Sequence, residues 1–489
     1  MRHFTGLFSL VLALGCSSES GSDDNAGNVG GGSGSGGNGG ASTGGGGGSG
    51  GTKVPVDASC TLPDAAFCDA FAEKSPGGRA GDLDDAKWSF ARLGFGCTNA
   101  FAFPKSPINV CGVWQTVDPG GPDSAFCVTE NGDPRWTEGF HDNTSFQYLD
   151  ARIRQPFDFA DRTGIIQWEA DARTSGSHGW WVETWITEEP VPGANLHDDQ
   201  LVSSKEAIGI VLALNCGQSA AGAGTTGSGL VGVERILVVN NHQVSDVYDP
   251  FSGPNANSRC VTTEQGELNK FQFRLSQNRV EVWATDVGSG ELQQIAEADI
   301  DLPFSRGYVH ISHVHYNAEK AEVTSYQGYQ WARVAFDGPQ LSTPRAYEIA
   351  DPLSVIDAPN CIESEVYRIS YGVSENVVYD LGSGPESPIQ LKFENVDPSN
   401  GTGARLTFNT TYVSPGDTFS YRFNGKEWRT WQVPPIVTTW ERQGFSMPIE
   451  LADLVSGTNT VELGTNTASF AMPPNSMHIA NIDLEIDIP

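Results

Sequence analysis

Positive charge is scarce in this chain. Lys and Arg total 29 against 60 Asp and Glu, a formal net charge of −31. That balance excludes a nucleic-acid partner, which needs a basic footprint, and disfavours adsorption to anionic lipid. A solvated acidic surface accounts for the excess, with bound calcium as the sharper alternative; no other cofactor is indicated. No apolar run approaches the roughly 20 residues of a membrane-spanning helix. No segment shows a long, well-capped helical period. The absence of a CxxC pair weakens zinc-ribbon and thioredoxin-type readings. No glycine-rich loop is framed by strand and helix, so a phosphate cradle is missing too.

What is present begins with an address. Arg2 and His3 precede an apolar run from Phe4 to Leu14, which ends in Ala13-Leu14-Gly15-Cys16. A basic start, a short apolar core and small residues before a cleavage point make a secretory signal peptide. Cys16 directly after Gly15 resembles a bacterial lipobox, which implies cleavage before Cys16 and lipidation of its sulfur. An ordinary signal peptide cut nearby is the alternative. Residues 1–16 are thus a leader, and 17–56 a Gly/Ser-rich linker that buries too little surface to order itself. Ser17 is not the Asp associated with inner-membrane retention, so the resemblance implies the outer membrane or cell surface. The membrane partner is reached through the lipid alone.

With Cys16 lipidated, eight of the nine cysteines remain, an even number that reads as four disulfides in an exported chain. Cys216 with Cys260 is the preferred pair, because the two bracket the strand expected at Leu230–Asn240. Five of the eight fall between Cys60 and Cys127, which suggests stapled loop there rather than open sheet.

The rest reads as strands: short alternating segments broken by Gly, Pro, Asn and Asp. Clear cases are Ile165–Arg173, Trp180–Thr187, Ala207–Asn215, Leu230–Asn240, Lys270–Ser276, Arg279–Thr285, Tyr308–Asn317 and Tyr326–Phe336. A break at Asp337-Gly338-Pro339 to Pro344 separates a second series, from Val366–Val373 to Ile479–Ile486. The expected fold class is all-β: two β-sandwich (jelly-roll) domains, 57–340 and 345–489.

Phe67-Cys68-Asp69-Ala70-Phe71, then Gly81-Asp82-Leu83-Asp84, then Lys87-Trp88-Ser89 resembles the opening of concanavalin A-like lectin/glucanase domains. The resemblance implies two curved sheets with a sugar on the concave one. Strand parity then separates faces. Trp180, Val182, Thr184 and Ile186 share one face and Trp181, Glu183, Trp185 and Thr187 the other; Ile166, Trp168 and Ala170 oppose Gln167, Glu169, Asp171 and Arg173. Indoles beside carboxylates and amides suit a pyranose, whose C–H patch lies on a ring while its hydroxyls are hydrogen-bonded. Trp283, on the face of Glu281, extends the expected site. The bland alternative is exposed strand residues with ion pairs such as Asp171–Arg173.

Cleavage needs two carboxyls close together. Glucanase relatives carry Glu-x-Asp followed by a second Glu. Glu169-Ala170-Asp171 is followed instead by Arg173 and Thr174, and between Glu183 and Glu188 Trp185 replaces the central Asp. The motif is incomplete, so Glu169, Asp171, Glu183 and Glu188 stand as candidates for an alternative polysaccharide hydrolase or lyase, with binding ahead of catalysis. His313 and His315 share a strand face as weak metal candidates, with His310 pointing the other way. For calcium, Asp397-Pro398-Ser399-Asn400-Gly401 and Asp299-Ile300-Asp301 are the better segments, though neither is an EF-hand loop.

Tyr421-Arg422-Phe423-Asn424-Gly425-Lys426, Leu451–Val455 and Gly457-Thr458-Asn459-Thr460-Val461-Glu462-Leu463 resemble the later strands of galactose-binding-like sandwiches. Trp428, Trp431 and Trp440 are ligand contacts or core caps there. The leading expectation is a surface lipoprotein that binds carbohydrate; the third is a structural or adhesive protein without a sugar site.

Overall fold

The computed structural model describes residues 60–72, 83–95, 107–110, 113–116, 124–128, 134–138, 146–172, 180–193, 204–213, 216, 229–248, 259–264, 266–316, 326–327, 329–349, 379–381, 388–410, 416–434, 443–465 and 477–489. The leader, the linker, Arg173, Trp440 and the segment expected as Val366–Val373 lie outside them.

Alternating side chains stack two antiparallel sheets face to face in the first half of the chain. The eight-stranded sheet runs Leu292–Asp299, Arg279–Thr285, Asn269–Ser276, Gly164–Asp171, Gln330–Asp337, Pro134–Glu138, Ser124–Val128, with Ala65–Asp69 beside Gln330–Asp337. The nine-stranded sheet runs Gln243–Tyr248, Leu230–Asn240, Ala207–Ala213, Trp180–Thr187, Arg306–Tyr316, Phe146–Ile153, Trp88–Phe95, with two short strands attached. Their inner faces form one core, in which Trp168 stacks on Phe271 at 5.3 Å between ring centres. Trp168 Nε1 donates to Tyr329 Oη at 2.9 Å, so its buried N–H is satisfied. The opening motif is a packing unit: Trp88 Nε1 donates to Asp69 Oδ2 at 2.7 Å, and Phe67 and Phe71 lie against the Trp88 ring.

The stretch from Cys60 to Cys127 corrects an expectation. It carries a staple, but among the described residues it also contributes five strands rather than loop alone, among them Ala65–Asp69 and Trp88–Phe95. Cys60–Cys68 is a disulfide that pins the segment leading into Ala65–Asp69. Cys216 is bonded to Cys260, and Gly232 makes room: a Cβ there would lie 2.4 Å from Cys216 Sγ.

The second sandwich has its own core. A five-stranded sheet orders Arg345–Glu348, Met477–Asp487, Gly403–Thr410 and Gln443–Ile449, with Tyr379–Leu381 beside Met477–Asp487. It faces a four-stranded sheet of Ile389–Val396, Gly457–Thr465, Thr418–Phe423 and Arg429–Gln432. Asn424 and Gly425 both take positive φ, 53° and 68°, forming the expected Asn-Gly turn. Trp431 caps this core against Phe408, Phe419 and Phe445.

The two sandwiches meet through buried charge. Arg152 and Arg154 reach Glu485, Arg154 Nη2 lies 3.0 Å from Asp483 Oδ2, and Ser89 Oγ donates to Asp483 at 2.9 Å. Arg405 Nε adds a bond to Glu485 at 3.0 Å. Burial raises the Glu485 carboxyl, but Arg152, Arg405 and Arg154 override that and hold it at about 2.

Candidate functional site

Among the described residues the parity reading holds at each strand. Ile166, Trp168 and Ala170 point into the same core as Val182 and Ile186. What does not hold is the union of the two polar faces. Gly164–Asp171 pairs with Asn269–Ser276 and Gln330–Asp337, whereas Trp180–Thr187 pairs with Ala207–Ala213 and Arg306–Tyr316. The two strands belong to opposite sheets, so their outer faces diverge. Glu169 and Asp171 therefore do not share a site with Glu183 and Trp185.

On the outer face of the nine-stranded sheet, Glu183, Trp185 and Thr187 line up with His310 and Ser312 on one neighbour, and Asp150 beyond. All six are almost wholly buried. Trp185 lies flat because its neighbour is Gly209; a Cβ there would stand 2.4 Å from the indole. It packs with Ala207, Leu237 and Val239, and its Nε1 donates to Glu183 Oε2 at 3.0 Å. His310 Nδ1 faces Asp150 Oδ2 and Nε2 faces Thr187 Oγ1, both at 2.9 Å. Asp150 also accepts from Ser312 Oγ at 2.6 Å and from Gly193 N at 3.0 Å.

An acid, an imidazole and a hydroxyl in line suggest an activated nucleophile. The protons argue otherwise: Thr187 Oγ1 donates to the Glu189 carbonyl at 2.6 Å, so its oxygen is left to accept from His310. The array is a closed hydrogen-bond network. Its cover is the turn after Trp180–Thr187, where Pro190, Val191, Pro192 and Gly193 are buried. Asn409 of the second sandwich clamps that turn, donating to Pro192 O at 2.8 Å, and Gly444 packs against the same carbonyl.

The outer face of the eight-stranded sheet is more open. Gln167, Gln272 and Trp283 occupy one row across three strands. Gln272 Nε2 donates to Gln167 Oε1 at 2.9 Å, and Arg274 donates through Nε and Nη2 to Gln272 Oε1. The Arg274 guanidinium lies over the Trp283 ring, 4.4 Å from its centre. Trp283 Nε1 donates to Glu281 Oε2 at 3.0 Å; that bond and one from Arg279 hold the Glu281 carboxyl below its usual range. At the other end Gln167 and Glu169 are covered by Thr61, which bonds both, while Arg333 and Lys270 also reach Glu169. Asp171 accepts from Gly266 N at 2.7 Å. The row is closed at Gln167 and open at Trp283, where Gln272, Arg274 and Trp283 are half-buried.

The carboxylate candidates do not assemble into a hydrolytic pair: Glu169 and Asp171 are held as above, Glu183 is buried and Glu188 exposed. Among the described residues no group of three or more His, Cys, Asp or Glu is arranged to hold a metal ion. The backbones of His313 and His315 pair with those of Val182 and Trp180, and the side chains of His313 and His315, like those of Trp180 and Trp181, lie outside the described residues. Asp397 closes its own turn on Ser399 N at 3.0 Å and meets Arg345; the Ser399 bonds hold its carboxyl below the usual range. Asp299 pairs with Arg279. Sequence reasoning passed over Asp150 and Ser312 and set His310 aside. The shared parity of His310 and Ser312 was the signal available for them.

No protein-family model matches the chain, and no curated protein matches it. Among solved structures it is similar to the exoplasmic/lumenal domain of VIP36 in its Ca2+/Man3GlcNAc-bound form, at 13% identity over 45% of this chain and 86% of that one, with a TM-score of 0.27. It is similar also to lectin II from Ulex europaeus, at 10% identity over 45% and 94%, and to a legume lectin-like domain from Entamoeba histolytica, at 10% over 44% and 89%, each with a TM-score of 0.27.

Proposed function

We propose that the chain binds carbohydrate on the outer face of its eight-stranded sheet, around Trp283. The observation that carries this reading is the half-buried Trp283 indole held under Arg274 and in register with the amides of Gln272 and Gln167. An indole of fixed orientation receives the C–H patch of a pyranose, and amide and guanidinium groups beside it bond the hydroxyls. The test is a polysaccharide-binding screen of the full chain with products monitored for cleavage. Retention without shortening supports a binding module; shortening returns the hydrolase or lyase reading to the front.

A structural or adhesive role is the second reading, favoured by the closed outer face of the nine-stranded sheet, filled by the chain's own turn and clamped by the second sandwich. In either case the Gly15-Cys16 ending and the Gly/Ser-rich segment support a lipid-anchored module at a cell surface. Cys16→Ser is expected to release the protein from the membrane fraction; unchanged detergent partitioning contradicts the anchor.

A further inference from the structure

Trp428 lies on the connection between Thr418–Phe423 and Arg429–Gln432 in the second sandwich. Unlike Trp431, it takes no part in the core cluster. Its neighbours Gly425, Lys426, Glu427, Arg429 and Thr430 are all exposed, and it is itself half-buried. Half-buried among exposed neighbours and outside the core cluster, the indole keeps accessible surface for a ligand to contact.

The ring is nevertheless fixed. The Arg422 guanidinium lies over it, 4.6 Å from the ring centre. Arg422 is held in turn by a two-pronged bond to Glu462 on the adjacent strand, with Nη2 to Oε1 at 3.0 Å. On the strand beyond, Gln390 Nε2 donates to the same Oε1 at 3.4 Å. The connection is pinned on both sides of Trp428 by one residue, Asp453: Arg429 Nε donates to its Oδ2 at 2.6 Å, and Lys426 Nζ lies 3.8 Å from its Oδ1. A surface anchored in this way loses little freedom on binding, which favours affinity.

The parts are those of the Trp283 face, on a different sandwich: an indole, a guanidinium stacked on it, the acceptor that orients the guanidinium, and a glutamine in the same row. We propose that Trp428, Arg422, Glu462 and Gln390 form a second carbohydrate platform on the outer face of the four-stranded sheet. Its ligand is a neutral pyranose, with a C–H face on the indole and hydroxyls donating to the Glu462 carboxylate or accepting from Arg422 and Gln390. A neutral sugar is favoured over an acidic one because the Arg422 charge is already met by Glu462 and the chain as a whole is strongly acidic.

The experiment uses the full chain with 15N-labelled tryptophan, titrated with mannohexaose, cellohexaose, xylohexaose and laminarihexaose. The indole resonance of Trp428, assigned by its loss in Trp428→Ala, is expected to shift with at least one of these. That shift is expected to survive in Trp283→Ala, so loss of the first site and loss of the second are distinguishable. Trp428→Ala is expected to weaken this binding at least about tenfold, as for an aromatic anchor, and Glu462→Gln to weaken it less while leaving the stack in place. If no oligosaccharide shifts the Trp428 indole, or if the affinity of Trp428→Ala in a Trp283→Ala background equals that of Trp283→Ala alone, the second platform is wrong.

Discussion

Trp185 and Trp283 occupy similar sequence positions, each two residues after a glutamate on the same strand face, yet their environments differ completely. Trp185 is sealed against Gly209 and the neighbouring apolar strands, while Trp283 is half-buried beneath Arg274. Substituting Trp185 by Ala empties a packed site and removes one donor from Glu183, for an expected loss of about 3–5 kcal/mol in urea unfolding. Gly209→Ala, whose methyl meets a ring that cannot swing aside, is expected to cost about 1–3 kcal/mol. Retention of wild-type stability by either variant is inconsistent with the packed site. None of this separation was legible in the sequence. Alternation gives the face of a residue relative to its own sheet, but exposure depends on what covers that face, and here the cover is a turn and a second sandwich.

At the level of strands, local pattern carried far. Trp180–Thr187, Leu230–Asn240, Arg279–Thr285 and Thr418–Phe423 have the expected bounds. Tyr326–Phe336 breaks into Tyr326–Gln327, paired with Pro107–Val110, and Gln330–Asp337 in the eight-stranded sheet. Phe146–Ile153 is not among the strands expected, and its outward residues Asp150 and Arg152 are buried although polar. Sheet membership was not legible at all: which strands pair is decided by contacts distant in sequence, so two similar successive strands looked like neighbours when they are opposed. The Cys216–Cys260 link closes a span of 44 residues around Leu230–Asn240. Replacing both cysteines by Ser is expected to lower stability by about 2–4 kcal/mol in denaturant unfolding under oxidising conditions; an unchanged midpoint contradicts a stapling role.

Across the whole molecule, the charged joint between the sandwiches gives a pH signature. The Glu485 carboxyl is held at about 2 against an ordinary value of 4.5. A carboxyl depressed in the folded state contributes stability that is fully present above its unfolded value and is lost as pH falls through the folded one. On the order of 3 kcal/mol is therefore expected to disappear between about pH 5 and pH 2. Glu485→Gln leaves Arg152, Arg154 and Arg405 facing a neutral group, so it is expected to cost about 3–5 kcal/mol at neutral pH and to flatten this acid limb. Equal acid sensitivity in the variant and the wild type contradicts the assignment.

Beside this joint, Asn409 and Gly444 clamp the turn that closes the nine-stranded sheet, and the carbohydrate site we propose lies on the outer face of the other sheet. Isothermal titration tests that surface directly, comparing wild type, Trp283→Ala and Trp428→Ala on the polysaccharide fragment that the wild type retains best. Loss of about 1–3 kcal/mol of binding free energy at one site in Trp283→Ala, with unchanged thermal stability, is the predicted result. Undiminished affinity and stoichiometry in Trp283→Ala contradict the claim that this face binds carbohydrate.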